Sequence, residues 1–279
     1  MAAESRMAGK SILVTGSGTG IGKGVAIEFA KAGASVALHY SRSSAGAEEA
    51  VKEITDFGGT AKAFKANFDK VDEVKQLGRQ AVDFLGGLDC LVNNAGITTN
   101  APFEEVTVEQ FDLLYHVNIR AQFFLTQDVL PELEKSRGAT VVNFTSVHAF
   151  TGMTEHSIYA GTKGAIVAYT RELALELIQK GVRVNAIAPG WVGVENQRMV
   201  MGEDFDWEAG AKTVPAGFIG TPKDMGRLCI FLASEDSRYI IGQTIIADGG
   251  QNCIMPNTGD FREKREYTFG QGYVPGLNV

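Results

Sequence analysis

Short apolar runs without polar alternation recur along the chain, and stretches of helical periodicity separate them. The first run covers residues 11–15 and ends in a glycine cluster, after which a helical pattern continues to Lys31. A second strand is expected over Ser35–His39, then an Ala/Glu-rich helix over Ala45–Phe57, a strand over Ala61–Lys65 and a helix over Val71–Leu85. The apolar run Leu88–Val92 precedes one long helix over Thr107–Lys135 and a strand over Thr140–Phe144. A helix carrying Tyr159 and Lys163 runs to Gln179, and Val182–Ala188 is the next strand. Residues 191–220 read as irregular with a helical stretch, followed by a helix over 223–234 and a last strand over Thr244–Ala247. Continuous apolar strands joined by helix-length connections indicate a parallel sheet covered on both faces. That is a doubly wound α/β fold, whose ligands sit outside the carboxyl ends of the strands.

No repeat, low-complexity linker or Pro/Gly hinge interrupts the pattern, so residues 9–250 read as one domain. Residues 251–279 depart from it, with Phe261, Tyr267, Phe269 and Tyr273 set among glycines and charges. They are expected to form an extension packed on the domain or on a partner subunit.

Composition narrows the classes of function. With 44% hydrophobic and 21% charged residues, the chain of 279 residues resembles an ordinary soluble globular protein. A net charge of −7 gives no general attraction to nucleic acid or anionic membrane. No apolar run reaches the length of a membrane span, and the N-terminus lacks the apolar core of a signal peptide. The three cysteines, Cys90, Cys229 and Cys253, are odd in number and far apart, which suits free thiols in a reducing cytoplasm. Four histidines show no metal-ligand grouping, so no metal is expected.

Two patterns carry chemistry. After the first strand come Thr15, Gly16, Ser17, Gly18, Thr19, Gly20, Ile21 and Gly22, which open a helix. Glycines there permit a tight turn and let backbone N–H groups approach a pyrophosphate at the favourable end of the helix dipole. The second strand ends in Tyr40, Ser41, Arg42 and Ser43, with no acid before Glu48. An acid would accept from a free ribose 2′-hydroxyl, whereas Arg42 can pair with a 2′-phosphate and Ser41 and Ser43 can donate to it, which favours NADP(H) over NAD(H). Further on, Tyr159 is the only one of seven tyrosines with a lysine four residues later, Lys163. On a helix such a pair shares a face, and an ammonium beside a phenol is expected to lower its pKa towards neutrality.

The glycine turn, the run Asn93, Asn94, Ala95, Gly96, and the Tyr159–Lys163 pair together resemble the short-chain dehydrogenase/reductase family. Asn118 in the long helix, Ser146 upstream of Tyr159, and Pro189-Gly190 after the sixth strand fit the same pattern, which spans residues 9–250. The resemblance implies a Rossmann-type sheet of about seven strands and a homotetramer built around the long helices. It makes Tyr159 the acid in reduction and the base in oxidation. Lys163 would lower the Tyr159 pKa and hold the nicotinamide ribose, Ser146 would bond the substrate oxygen, and Asn118 would keep a proton-relaying water chain. Gly16, Gly20 and Gly22 would shape the pyrophosphate turn, Ile21 would lie against the cofactor and Ser17 would contact it. Asn94, Ala95 and Gly96 would line the adenosine side, and Pro189, Gly190 and Val192 the nicotinamide. Two positions depart from the family's pattern. Asn67 stands where many members carry an aspartate for the adenine amino group, and Val194 stands where a threonine is common.

The substrate side is expected from His148, Phe150, Met153, His156, Trp191, Glu195, Asn196, Trp207 and Phe218. His148 and Trp191 are the foremost of these. Mixed aromatic and polar lining suits a hydroxylated or cyclic ketone better than a bare alkyl chain. The leading reading is an NADP(H)-dependent oxidoreductase that interconverts a carbonyl and an alcohol on a small polar substrate such as a sugar, polyol or keto acid. The alternatives are a 3-ketoacyl-[acyl-carrier-protein] reductase and a non-catalytic cofactor-binding scaffold.

Overall fold

Val, Ile, Leu and Ala dominate the inner strands of a set of seven, whose edge strand β3 exposes Thr60, Lys62 and Lys65: β1 Ser11–Val14, β2 Ser35–Tyr40, β3 Thr60–Lys65, β4 Cys90–Asn93, β5 Thr140–Phe144, β6 Arg183–Pro189 and β7 Thr244–Ala247. In the computed structural model, which describes residues 6–195, 197, 201–202, 205–254 and 262, they form one sheet in the order β3-β2-β1-β4-β5-β6-β7. Every pairing is parallel. One face buries Val25, Phe29, Ile54 and Cys229, and the other buries Val74, Leu77, Leu125 and Leu177. The expected extension over 251–279 lies outside the described residues except for 251–254 and Arg262.

The helices are α1 Gly20–Lys31, α2 Ser44–Asp56, α3 Val71–Leu85, α4 Val108–Tyr115, α5 Ala121–Leu133, α6 Ser157–Ile178, α7 Trp207–Lys212 and α8 Pro222–Ala233. Local chemistry fixes several ends. Thr107 and Gln110 form a capping box before α4, and Thr221 and Asp224 form another before α8, where Pro222 begins the helix. Gly86 stops α3 in the left-handed region at φ 73°.

The single long helix expected over Thr107–Lys135 is broken. A π-turn over His116–Arg120 separates α4 from α5. The wide turn takes Asn118 out of the ordinary ladder, and the Gln122 side-chain amide donates to the Asn118 carbonyl oxygen. Polar bonds continue inward. Thr126 Oγ1 donates to Gln122 O at 2.7 Å and accepts from Asn93 Nδ2 at 3.1 Å. Asn93 Nδ2 also donates to Asn143 Oδ1 at 2.9 Å, and Asn143 Nδ2 donates to Thr170 Oγ1 at 3.0 Å. A buried polar ladder thus ties α5, β4, β5 and α6 together; apolar periodicity contains no trace of it. Because Asn93 and Asn143 stand opposite each other in register, the Asn93 amide nitrogen finds its partner across the sheet, while its Oδ1 stays buried without one.

The order reverses between β1 and β4. There the glycine turn after β1 and the Asn94–Gly96 segment after β4 meet, at the switch point where open α/β sheets take their ligands. Among the described residues no helix is long and apolar enough to cross a membrane, and no group of His, Cys, Asp and Glu is arranged to hold a metal.

Candidate active site

The turn between β1 and α1 is pinned from several sides. Thr15 Oγ1 accepts from the backbone N of Asn94 and of Ala95, each at 3.0 Å. Asn94 Nδ2 donates to Thr15 O at 2.9 Å and Gly16 O at 3.1 Å. A Cβ at Gly22 would lie 2.3 Å from Gly16 O and 2.4 Å from Asn94 Nδ2, so only glycine fits. Gly16 and Gly20 take φ of 64° and 57°, a region open to glycine without penalty.

A buried histidine missing from the expected site completes the cradle. His39 Nδ1 accepts from Gly16 N at 3.0 Å, and Nε2 lies 3.1 Å from Ala66 O, so Nε2 carries the proton. The ring stacks on Phe68 at 4.1 Å, and burial lowers its pKa from the ordinary 6.5 to about 4. His39 therefore stays neutral and ties the phosphate turn to the segment after β3. Its only sequence signal is a polar residue ending an otherwise apolar strand.

Two expected contacts turn out differently. Ser17 is fully buried, its Oγ donating to Val14 O at 2.8 Å and accepting from His39 N at 3.0 Å, so its hydroxyl holds the fold and does not face a ligand. Glu195, expected on the substrate side, lies at the start of α1, where its Oε2 accepts from Gly20 N at 3.0 Å. The α1 N-cap, Thr19, makes no side-chain capping bond and no acid occupies the first turn, so the Glu195 carboxylate meets an uncapped helix dipole. Gly16, Gly20, Ile21, Gly22, Asn94, Ala95 and Gly96 are brought together around this turn. At the end of β2, Tyr40 is half-buried, while Ser41, Arg42 and Ser43 are exposed. Asn67 is exposed beyond β3, its Oδ1 accepting from Asp69 N at 3.0 Å.

Ser146, Tyr159 and Lys163 converge at the carboxyl end of β5. Ser146 follows that strand, and Tyr159 and Lys163 project from the first turns of α6. The Lys163 Nζ stands 5.5 Å from the Tyr159 ring centre and donates to Phe144 O at 3.0 Å. Lys163 is only 4% exposed, and burial lowers its pKa from 10.5 to about 8. The expected depression of the Tyr159 pKa is not what this geometry produces. Burial raises the phenol, and a hydrogen bond with Ser146 offsets that only in part. Desolvation outweighs any help from an ammonium that is itself buried.

Asn118 faces the same centre, but its side chain is fully engaged. Its Oδ1 accepts from Ile97 N at 2.8 Å, and its Nδ2 donates to Ile97 O at 2.9 Å and Thr162 Oγ1 at 3.1 Å. It clamps the segment after Gly96 to α6. On the far side, Pro189 ends β6, Gly190 N donates to Ala247 O at 3.0 Å, and buried Val192 bridges to Gly220.

Beside Tyr159 opens a cavity of about 420 Å³, lined among others by Phe103, His148, Phe150, Met153, Glu155 and His156. Trp191 is not part of that lining. It packs on Phe205 and Trp207, and its Nε1 donates to Gln197 Oε1 at 3.3 Å, so it braces the segment after β6. Asn196 lies outside the described residues.

The chain also fits a family model described as Enoyl-(Acyl carrier protein) reductase, which matches residues 16–252. The chain belongs to the short-chain dehydrogenase/reductase family and is an oxidoreductase. More particularly, it is 40% identical over 256 residues to a hydroxynaphthalene reductase-like protein of Metarhizium anisopliae, covering 88% of this chain and 95% of that protein. It is 36% identical over 255 residues to versicolorin reductase 1 of Dothistroma septosporum, covering 88% and 97%. A short-chain dehydrogenase of Burkholderia cenocepacia solved in complex with NADP superposes with a TM-score of 0.81 at 31% identity, covering 89% of this chain and all 100% of that one.

Proposed function

We propose that the protein is an NADP(H)-dependent carbonyl reductase that interconverts a hydroxylated cyclic ketone and its alcohol. The observation that carries this reading is the meeting of Ser146, Tyr159 and buried Lys163 beside an aromatic-walled cavity, next to the glycine turn. The turn fits a dinucleotide, since its helix N-terminus already attracts a carboxylate, that of Glu195. Gly16, Gly20, Ile21, Gly22, Asn94, Ala95 and Gly96 would hold the dinucleotide's phosphates and adenosine, and Pro189, Gly190 and Val192 its nicotinamide end. When bound, the nicotinamide supplies or accepts the hydride.

The chain's own residues manage the proton and the charge. Ser146 Oγ donates to the substrate oxygen as negative charge develops there, and Tyr159 Oη delivers the proton in reduction. A phenol with a raised pKa is fully protonated near neutral pH, the form that reduction requires; oxidation calls for the phenolate and therefore for alkaline conditions. Lys163 places a positive charge behind the phenol, and Asn118 holds α6 against the segment after Gly96. Arg42, Ser41 and Ser43 would receive a 2′-phosphate, in keeping with the NADP bound to the Burkholderia relative. Among substrates, sugars, polyols and hydroxylated cyclic ketones suit the cavity better than keto acids or carrier-linked acyl groups, because the described residues of its lining include Glu155 and no lysine or arginine. A homotetramer would cover the exposed Phe111, Phe123 and Leu175 on α4, α5 and α6.

The test is NADPH oxidation on a panel of cyclic ketones, with NADH alongside. Tyr159→Phe should lose about 10²- to 10⁴-fold in kcat, and Arg42→Ala should raise the KM for NADPH while leaving that for NADH nearly unchanged. Undiminished turnover in Tyr159→Phe would sink the mechanism.

A further inference from the structure

We propose that His148 and His156 form a hydroxyl-reading pair beside the reacting carbonyl, so that the preferred substrate carries a hydroxyl one or two carbons from the carbonyl carbon. The inference rests on the carbonyl-reductase reading above and narrows its substrate class.

Three rings meet beside the cavity. The His148 and His156 ring centres are 4.9 Å apart, and they lie 5.3 Å and 6.4 Å from the Tyr159 ring, both edge-on to it. Both histidines line the cavity. His156 Nδ1 is 2.7 Å from Thr154 O, and a carbonyl only accepts, so Nδ1 carries the proton. In the neutral ring Nε2 is then a bare acceptor. His148 Nδ1 is buried with no partner. Its backbone N donates to Ser146 Oγ at 3.3 Å, which ties its position to that of the serine. A pair of imidazoles this close to the phenol, one with an unmatched buried nitrogen and the other with a free lone pair, presents hydrogen-bonding capacity that the fold itself leaves unused.

The backbone is held out of the ordinary to place this pair. Glu155 is the one non-glycine among the described residues with a positive φ, 65°, and its carbonyl accepts from Ala101 N at 3.2 Å. Strain of this kind persists where the surrounding structure over-determines it, and it clusters at ligand clamps. Here it turns the chain just before His156, back over Tyr159.

The lining decides what the pair reads. Glu155 would repel a carboxylate or phosphate, and among the described residues no lysine or arginine lines the cavity to attract one. Burial and the neighbouring His156 disfavour a charge on His148, which again points to a neutral group. Phe103 and Phe150 supply flat apolar faces suited to a ring, and Met153 adds a flexible apolar side chain. With the carbonyl oxygen at Tyr159, a ring about 5 to 6 Å away reaches only a substituent close to the carbonyl, through a hydrogen bond of ordinary length.

The test compares kcat/KM, with NADPH, for cyclohexanone, 2-hydroxycyclohexanone and 3-hydroxycyclohexanone. The wild-type enzyme should favour at least one hydroxy ketone by about tenfold or more over cyclohexanone. His148→Phe and His156→Phe keep ring volume and remove the nitrogens, so each should shrink that ratio and the double variant should bring it near one. His156→Gln, which restores a hydrogen-bonding end, should recover part of it. NADPH binding and circular dichroism of each variant report whether the fold is intact. A ratio near one in the wild type, or a ratio unmoved by either phenylalanine, would overturn the pair while leaving the reductase reading in place. A wild type that binds NADPH and reduces none of the three ketones would instead remove the functional reading, and the pair with it.

Discussion

Replacing Lys163 by methionine should make this protein more stable and inactive at the same time. In the fold the lysine's pKa falls from 10.5 to about 8, because burial disfavours the ammonium. At about 1.4 kcal/mol per pH unit, holding that charge at neutral pH costs about 3 kcal/mol relative to the unfolded chain. Methionine fills most of the same space without a charge and forfeits the hydrogen bond to Phe144 O, which returns about 1 kcal/mol. The net expectation is about 2 kcal/mol in favour of Lys163→Met at pH 7, or a Tm higher by about 4–8 °C for a chain of this size. The sign reverses the usual lysine case. Between about pH 8 and 10.5 the unfolded chain holds the proton and the folded chain does not, so wild-type stability rises with pH through that window and is lost again as pH falls to 8. Urea unfolding of both proteins at pH 7 and pH 10 measures this, with NADPH oxidation recorded in parallel. The gap should be about 2 kcal/mol at pH 7 and close to zero at pH 10 by the same linkage. A variant less stable than wild type at pH 7, or a gap equal at both values, would refute the reasoning.

Gly22→Ala should weaken NADPH binding by about tenfold or more, because its Cβ would press on Gly16 O and the Asn94 amide; Gly152→Ala, where a Cβ meets nothing within 4 Å, is the control, and equal Kd values for the two would contradict the cradle. Glu195→Gln should tighten NADPH binding about two- to fivefold at low salt, since the carboxylate now at the α1 N-terminus competes with a pyrophosphate for the same dipole. Weaker binding in fluorescence titration would mean that Glu195 supports the site. His39, held near a pKa of 4, should give the fold an acid-sensitive step. The unfolded chain takes a proton below about 6.5 and the folded chain resists it, so stability present above 6.5 is lost as pH falls towards 4. His39→Gln should flatten that slope in urea titrations between those limits, and an unchanged slope would rule the histidine out as its source.

Much of the fold was legible because strands buried on both faces announce themselves. Thr140–Phe144 and Thr244–Ala247 fall where the apolar runs place them, and Val71–Leu85 begins and ends as its periodicity and Gly86 require. The π-turn was not legible. No glycine or proline marks His116–Arg120, so Thr107–Lys135 reads as continuous although Asn118 and Gln122 rearrange their bonding within it. Nor does a run such as Cys90–Asn93 or Thr140–Phe144 disclose that its asparagine will be matched by another across the sheet.

The site divides along the same line. Glycines at the turn and a tyrosine–lysine pair on a helix are legible because sterics and spacing restrict which residues can serve there. Whether a neighbouring polar group faces a ligand or the fold is a question of partners, and partners come from distant segments. Ser17 stands within the glycine turn yet bonds Val14 and His39, while Glu195 stands in the substrate segment yet bonds Gly20. The pair itself shows the same limit. Spacing puts Lys163 beside Tyr159, but the fold buries the lysine and half-buries the tyrosine, and desolvation acts on the two groups in opposite directions, raising the phenol and lowering the ammonium. Their pKa values, nearly equal in free side chains, are therefore driven apart, and burial favours the neutral form of each group. That separation depends on depth in the fold, a quantity that four residues of spacing do not contain.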